Sequence, residues 1–155
     1  MEQFEIVENK ATPEQIHSFL LQTEHMFDPP LHNNVDLEAY ANKLHASARR
    51  LEIWDDNRLI ALFAIYFNEK DFSNDFKEKD VYLAFVAILQ DYQGLGIGKA
   101  LRNDTINIAK KGGYKNIYVD VDITNKFWID SFLRLGFVIV KQIKNSHLLK
   151  LSLSC

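Results

Sequence analysis

Residues 80–101 read DVYLAFVAILQDYQGLGIGKAL, and the change of character inside this run decides the fold. Its first part is apolar and rich in β-formers: Val81, Tyr82, Leu83, Phe85, Val86, Ile88 and Leu89. That is long enough for a strand buried on both faces. A polar break follows at Gln90-Asp91-Tyr92-Gln93, then the alternating glycines Gly94, Gly96 and Gly98, and a helical pattern starts directly after them. A strand that passes through a Gly-rich turn into a helix suits phosphate. Glycine permits positive φ and close approach, and the unbonded N–H groups of the first helical turn point at the anion.

Spacing separates the families of turn that do this. A P-loop needs Ser or Thr after its Gly-Lys, but Ala100 follows Gly98-Lys99. A Rossmann turn needs a third small residue, where the two possible registers place Lys99 and Leu101. The run does contain Gln93-x-x-Gly96-x-Gly98 between a strand and a helix. This resembles the pyrophosphate loop of the GCN5-related N-acetyltransferases (the GNAT superfamily), whose signature is Gln/Arg-x-x-Gly-x-Gly/Ala. A second stretch is similar to a later motif of the same superfamily: Val119-Asp120-Val121, Asn125, Trp128, Ser131, Phe132 and Gly136-Phe137. Trp128 and Ser131 depart from the usual residues there, and Phe132 stands where the family commonly has a tyrosine that protonates the departing thiolate. The two motifs span residues 80–137; the first half of the chain matches in layout only.

At 155 residues with net charge −3, 47% hydrophobic and 25% charged residues, the chain reads as one globular domain over residues 1–155. No Lys/Arg cluster marks a nucleic-acid footprint. Cys155 is the lone cysteine, which excludes an internal disulfide and fits a reducing compartment. The opening MEQFEIVENK is too polar for a signal peptide, and no apolar run reaches membrane-spanning length. The expectation is a cytoplasmic protein, monomeric or homodimeric, without nucleic-acid or membrane partners.

Elsewhere the pattern alternates elements. Phe4, Ile6 and Val7 predict a short strand. Thr12-Pro13-Glu14-Gln15 is a helix start with a capping box, and the apolar stripe Ile16, Phe19, Leu20 carries that helix to about Met26. Asp28-Pro29-Pro30 stops it, and Asp36 caps a second helix through Leu37, Tyr40, Ala41 and Leu44. Leu51–Trp54 and Leu59–Phe67 form a hairpin across Asp55–Arg58. Asn68–Asp80 is a charged connection. The helix after the glycines puts Ile97, Leu101, Ile108 and Ala109 on one side. Ile117–Ile123 reads as a second buried strand, in a right-handed parallel crossover. A short helix over Asn125–Leu135 and a hairpin of Val138–Val140 with Leu148–Leu153, turning near Lys144–Ser146, complete the chain. The order β-α-α-β-β-β-α-β-α-β-β is that of the superfamily. The fold class expected is therefore α/β (α+β), with a mixed, mostly antiparallel sheet of six to seven strands, splayed parallel central strands and flanking helices.

The resemblance implies acetyl-CoA as co-substrate, no metal, and transfer of the acyl group to a small-molecule primary amine by direct attack. Its pantetheine arm would pair with main chain near Val86 and Ile88. The amides of Gln93, Gly94, Leu95, Gly96, Ile97, Gly98 and Lys99 would hold the diphosphate, with Asn125 and Phe132 also on the cofactor side. Each well-placed donor to the developing oxyanion contributes ~3 kcal/mol, and holding the two reactants together ~7–11 kcal/mol, so a correct backbone matters more than any one side chain. The base is open. Tyr82 lies where some relatives keep a glutamate, Asp122 ends the neighbouring strand, and Asp80 sits nearer the first strand's start. Against these stand Tyr82 as a core aromatic, and Asp120 and Asp122 as solvated strand-end groups. Phe27, Pro29, Pro30 and His32 would wall the acceptor pocket, since that loop borders it in relatives. FDPPL followed by VDLEAYANKL is similar to acetyltransferases of bacterial surface-sugar synthesis, which makes an amino sugar one acceptor to test. The rival reading is a non-catalytic acyl-CoA-binding module. The five histidines show no metal-ligand spacing.

Overall fold

The computed structural model describes residues 4–27, 30–33, 35–67 and 80–153. The expectations for Asp28, Pro29, the connection over 68–79 and Cys155 lie outside them. The elements run β1 (Ile6–Glu8), α1 (Pro13–Thr23), α2 (Leu37–Ser47), β2 (Arg49–Asp55), β3 (Arg58–Phe67), β4 (Asp80–Ile88), α3 (Ile97–Lys111), β5 (Asn116–Asp122), α4 (Lys126–Arg134), β6 (Val138–Ile143) and β7 (Ser146–Ser152), with short 3₁₀ turns at Glu24–Met26, Leu31–Asn33 and Gln90–Tyr92. The seven strands form one sheet in the order β1-β2-β3-β4-β5-β7-β6. β4 and β5 are parallel, while β1–β2, β2–β3, β5–β7 and β6–β7 are antiparallel. Among the described residues no helix is long and apolar enough to cross a membrane.

Two compact units share this chain. One joins the residues up to Ile65 with Phe85–Asp104; the other joins Tyr66–Ala84 with Thr105 onward. The first is built on α1 and α2. Thr12 closes a capping box with Gln15, and Pro13 opens α1. Asp36 caps α2 through the N–H groups of Glu38 and Ala39. Ile16, Phe19 and Leu20 of α1, Ala41 and Leu44 of α2 and Ile60–Ile65 of β3 are buried. Phe85 meets the rings of Phe19, Phe27 and Tyr40 at centroid distances of 6.5, 5.5 and 6.2 Å.

A buried ion pair ties the ends of those helices to β2. Glu52 is 0% exposed, and its carboxylate accepts from Lys10 N, Ala11 N and Trp54 Nε1 at 3.0–3.2 Å. Arg50 donates to Glu52 Oε2 at 3.1 Å, and to the carbonyls of Leu44, His45 and Ala11 at 3.0–3.3 Å. Each charge is answered by hydrogen bonds, the condition under which an ion pair survives burial, and deleting one member costs about 3–5 kcal/mol.

The second unit holds the parallel ladder, which pairs Asp80 with Asn116 and ends at Leu83 with Val119, whereas β4 continues to Ile88 and β5 to Asp122. β4 was expected to be buried on both faces and β5 to be a second buried strand. Instead they alternate: Val81, Leu83, Ile117, Val119 and Val121 are buried, while Tyr82, Tyr118 and Asp122 are half-buried and Asp120 is exposed. The even-numbered face carries a carboxylate, and a charged group of that kind keeps access to solvent. Two smaller corrections follow the same logic of local geometry. α1 ends at Thr23, and the turn to Met26 is 3₁₀. On α3 the buried positions are Ile97, Leu101, Thr105 and Ala109, a strict fourfold spacing that leaves Ile108 half-buried.

Candidate active site

The turn before α3 is built from main chain. Gly94 and Gly96 have φ of +82° and +84°, a region that L side chains rarely enter. Gly98 differs from expectation: it is already helical, inside the first turn of α3. A Cβ built on Gly94 or Gly96 meets no atom within 4 Å, so backbone conformation rather than crowding demands glycine, and the space beyond is open to a ligand. The first helical bond runs from Ala100 N–H to Gly96 C=O at 3.0 Å, which places the N–H groups of Ile97, Gly98 and Lys99 ahead of the helical ladder. The first turn contains no acidic residue, and Lys99 is exposed beside it. This cradle fits a phosphate group. Leu95 is exposed and Ile97 buried, anchoring the turn from below. The Gln93 side chain turns back instead of outward, its Nε2 donating to Ile88 C=O at 3.1 Å. Ile88 is buried and Val86 half-buried at the end of β4.

A second cluster lies on the even-numbered face of β4 and β5. Tyr82 is in register with Tyr118, and its hydroxyl donates to Asp120 Oδ2 at 2.7 Å. Although Asp120 is exposed as a whole, partial desolvation of its carboxyl raises its pKa from the ordinary value; the Tyr82 hydrogen bond and the charge of Lys141 act in the opposite direction. Asp122, the other base candidate, is engaged locally: its Oδ1 accepts from Thr124 N at 2.9 Å and from Thr124 Oγ1 at 2.6 Å. The structure thus joins Tyr82 to Asp120 and not to Asp122. Asp80 is buried at the start of β4 and accepts from Asn116 Nδ2 at 2.8 Å.

The remaining expected residues also have defined places. Asn125 caps α4, accepting from Trp128 N at 3.4 Å. Phe132 is 1% exposed, between the rings of Trp128 at 5.9 Å and Phe137 at 5.1 Å. On the connection between α1 and α2, Phe27 is half-buried against Phe85, Pro30 is half-buried, and His32 is exposed with its Nδ1 3.0 Å from Glu24 Oε2. Two residues of consequence escaped the sequence reading. Asp120 is exposed, as its reading as a solvated group expected, but its hydrogen bond with Tyr82 was missed; strand register with β4 would have put the two side by side. Tyr92 was read only as part of a polar break, yet its hydroxyl donates to Asp55 Oδ2.

Comparison with known proteins agrees with the architecture. The chain is 37% identical over 71 residues to N-alpha-acetyltransferase 50 of Danio rerio, a match covering 45% of this chain and 42% of that protein. It is 28% identical over 67 residues to N-alpha-acetyltransferase 30 of Schizosaccharomyces pombe, covering 43% and 45%. The matches thus span less than half the length of either relative. Among solved structures, the ribosomal-protein-S18-alanine N-acetyltransferase of Escherichia coli superposes with a TM-score of 0.73 at 16% identity, over 99% of this chain and 96% of that one. A Bacillus subtilis acetyltransferase solved in complex with CoA gives 0.73 at 17% identity, over 98% and 100%. At such identities these two speak for the fold. The sequence profile described as the acetyltransferase (GNAT) family matches residues 14–137, and with the seven-stranded sheet and the glycine turn entering α3, the chain belongs to that family.

Proposed function

We propose that the protein transfers an acetyl group from acetyl-CoA to a primary amine. The single observation that carries this reading is the turn before α3: two glycines at positive φ, followed by N–H groups ahead of the helical ladder, over open space. In this reading the turn from Gly94 to Lys99 holds the diphosphate of the donor. The stretch of β4 beyond Leu83, where the pairing with β5 has ended, offers main-chain groups to the pantetheine amides near Val86. Leu89 N–H is committed to Ile60 C=O at 2.9 Å, and Ile88 C=O already accepts from Gln93.

Tyr82 and Asp120 are assigned the proton. The amine nitrogen forms a bond to the thioester carbon, and the C–S bond breaks. The ammonium proton passes to Tyr82 Oη as the phenolic proton moves to Asp120 Oδ2. A carboxylate whose pKa is raised by burial accepts that proton more readily than an ordinary one. The CoA thiolate takes its proton from solvent, because Phe132 carries no hydroxyl.

Two relatives named N-alpha-acetyltransferases favour the α-amine of a peptide as acceptor. A small amine such as an amino sugar is the second reading, favoured by the FDPPL and VDLEAYANKL segments flanking the α1–α2 connection. The test is CoA thiol release by the purified protein with acetyl-CoA and two panels, peptides with free N-termini and small amines. Release with peptides supports the first reading, and release with small amines alone the second. Acetyl-CoA binding without turnover on either panel overturns the enzyme in favour of an acyl-CoA-binding module.

A further inference from the structure

Tyr92 stands two residues before Gly94, at the end of the 3₁₀ turn Gln90–Tyr92, and it is gripped on three sides by its own unit. Its hydroxyl donates to Asp55 Oδ2 at the end of β2. The Arg58 guanidinium lies 6.0 Å from its ring centroid, and Phe4 meets its edge at 6.1 Å and 80°. Asp55 and Arg58 are register partners that close the β2–β3 hairpin, whose turn residue Asp56 has a φ of +53°. Arg58 Nη2 also donates to Gln22 Oε1 on α1 at 3.3 Å, so the hairpin is itself held to a helix. On the other side of the turn entry, Gln93 Nε2 holds Ile88 C=O. The hydrogen bond to Asp55 raises the Tyr92 pKa above its ordinary value, so the phenol keeps its proton and remains a donor throughout the physiological range.

We infer that Tyr92 and Asp55 are positioning residues for the diphosphate turn: the β2–β3 hairpin, remote in sequence, holds the entry to Gly94 in its binding shape before the donor arrives. Neither side chain is required to touch the ligand. The physical effect is preorganisation, because a turn already fixed loses less entropy when an anion seats on its N–H groups. This inference rests on the reading of that turn as the donor site.

The test uses the full chain with CoA in calorimetry, and with acetyl-CoA and S-acetylpantetheine in turnover. Removing one exposed hydrogen bond of this kind, as in Tyr92→Phe or Asp55→Ala, is expected to weaken CoA binding about fivefold. The loss falls on KM for acetyl-CoA, with kcat at saturation preserved. S-acetylpantetheine lacks the diphosphate, so its KM stays at the wild-type value in both variants. Asp55→Asn keeps an acceptor oxygen and restores most of the affinity, and the double variant Tyr92→Phe/Asp55→Ala loses no more than either single one. Wild-type CoA affinity in both single variants overturns the inference, as does equal loss for the two donors or additive losses in the double variant. Failure of the wild-type protein to bind CoA at all is a different result: it removes the donor site itself, and the positioning role with it.

Discussion

The turn before α3 and the pair on β4 and β5, each in its own unit, are built by opposite means. The turn works through peptide N–H groups and needs side chains to be absent, so Gly94 and Gly96 hold positive φ over open space. The pair works through side chains brought together across a parallel ladder, with a phenol 2.7 Å from a carboxylate. Main-chain sites depend on conformation and fail when any side chain intrudes. Side-chain sites depend on one or two atoms and fail when those atoms are removed, with the backbone untouched. Damage to the first should therefore appear in donor binding, and damage to the second in turnover and its pH dependence.

The largest effect is expected at the turn. Gly96→Glu places a β-carbon at a φ of +84° and a negative charge where an anion is to seat, and should weaken CoA binding by about 100-fold or more, measured by calorimetry. Unchanged affinity would break the assignment of the turn. Next comes Tyr82→Phe. Loss of a positioned proton acceptor lowers kcat by about 10²–10⁴-fold, while KM for acetyl-CoA stays within a factor of about two, and equal loss in both would make Tyr82 a binding residue instead.

Asp120→Asn sharpens the comparison through pH. Burial raises the folded-state pKa of Asp120, so in the folded protein the protonated acid is favoured relative to the unfolded chain. That advantage is present in acid and is lost as pH rises from the unfolded value through the folded one. Asn removes the titration, so the variant should gain thermal stability over the wild type at neutral pH and gain less in acid, while kcat falls and the acid limb of the rate profile disappears. A Tm difference independent of pH would contradict the direction of the shift. The smallest effect belongs to Phe132→Tyr. A hydroxyl added at a position 1% exposed among aromatic rings costs about 1–3 kcal/mol if it finds no partner, read as a lower Tm with kcat nearly unchanged. A clear rise in kcat would show the ring reaching the leaving thiolate.

These regions also differ in how openly the sequence displays them. The glycine turn was legible because a conformation that only glycine tolerates leaves its mark at fixed spacing, and the caps at Thr12 and Asp36 were legible for a similar reason: each acts on N–H groups two or three residues away. Gly98 was read as lying before the helix, although α3 begins at Ile97, since a glycine within a first helical turn looks the same as one before it. The Tyr82–Asp120 contact was not legible, because it depends on the register Tyr82↔Tyr118 between strands separated by a helix, and nothing local encodes that. Asp122 looked better placed than Asp120 by position along β5, until Thr124 was seen to engage it.

The Arg50–Glu52 pair has a consequence for how such a protein changes over time. It fastens the chain ahead of α1 at Ala11 and the chain at the end of α2 at Leu44 and His45. One strand, β2, thereby fixes where α1 begins and where α2 stops, so the two helices can tolerate change at their other ends without losing those two anchor points.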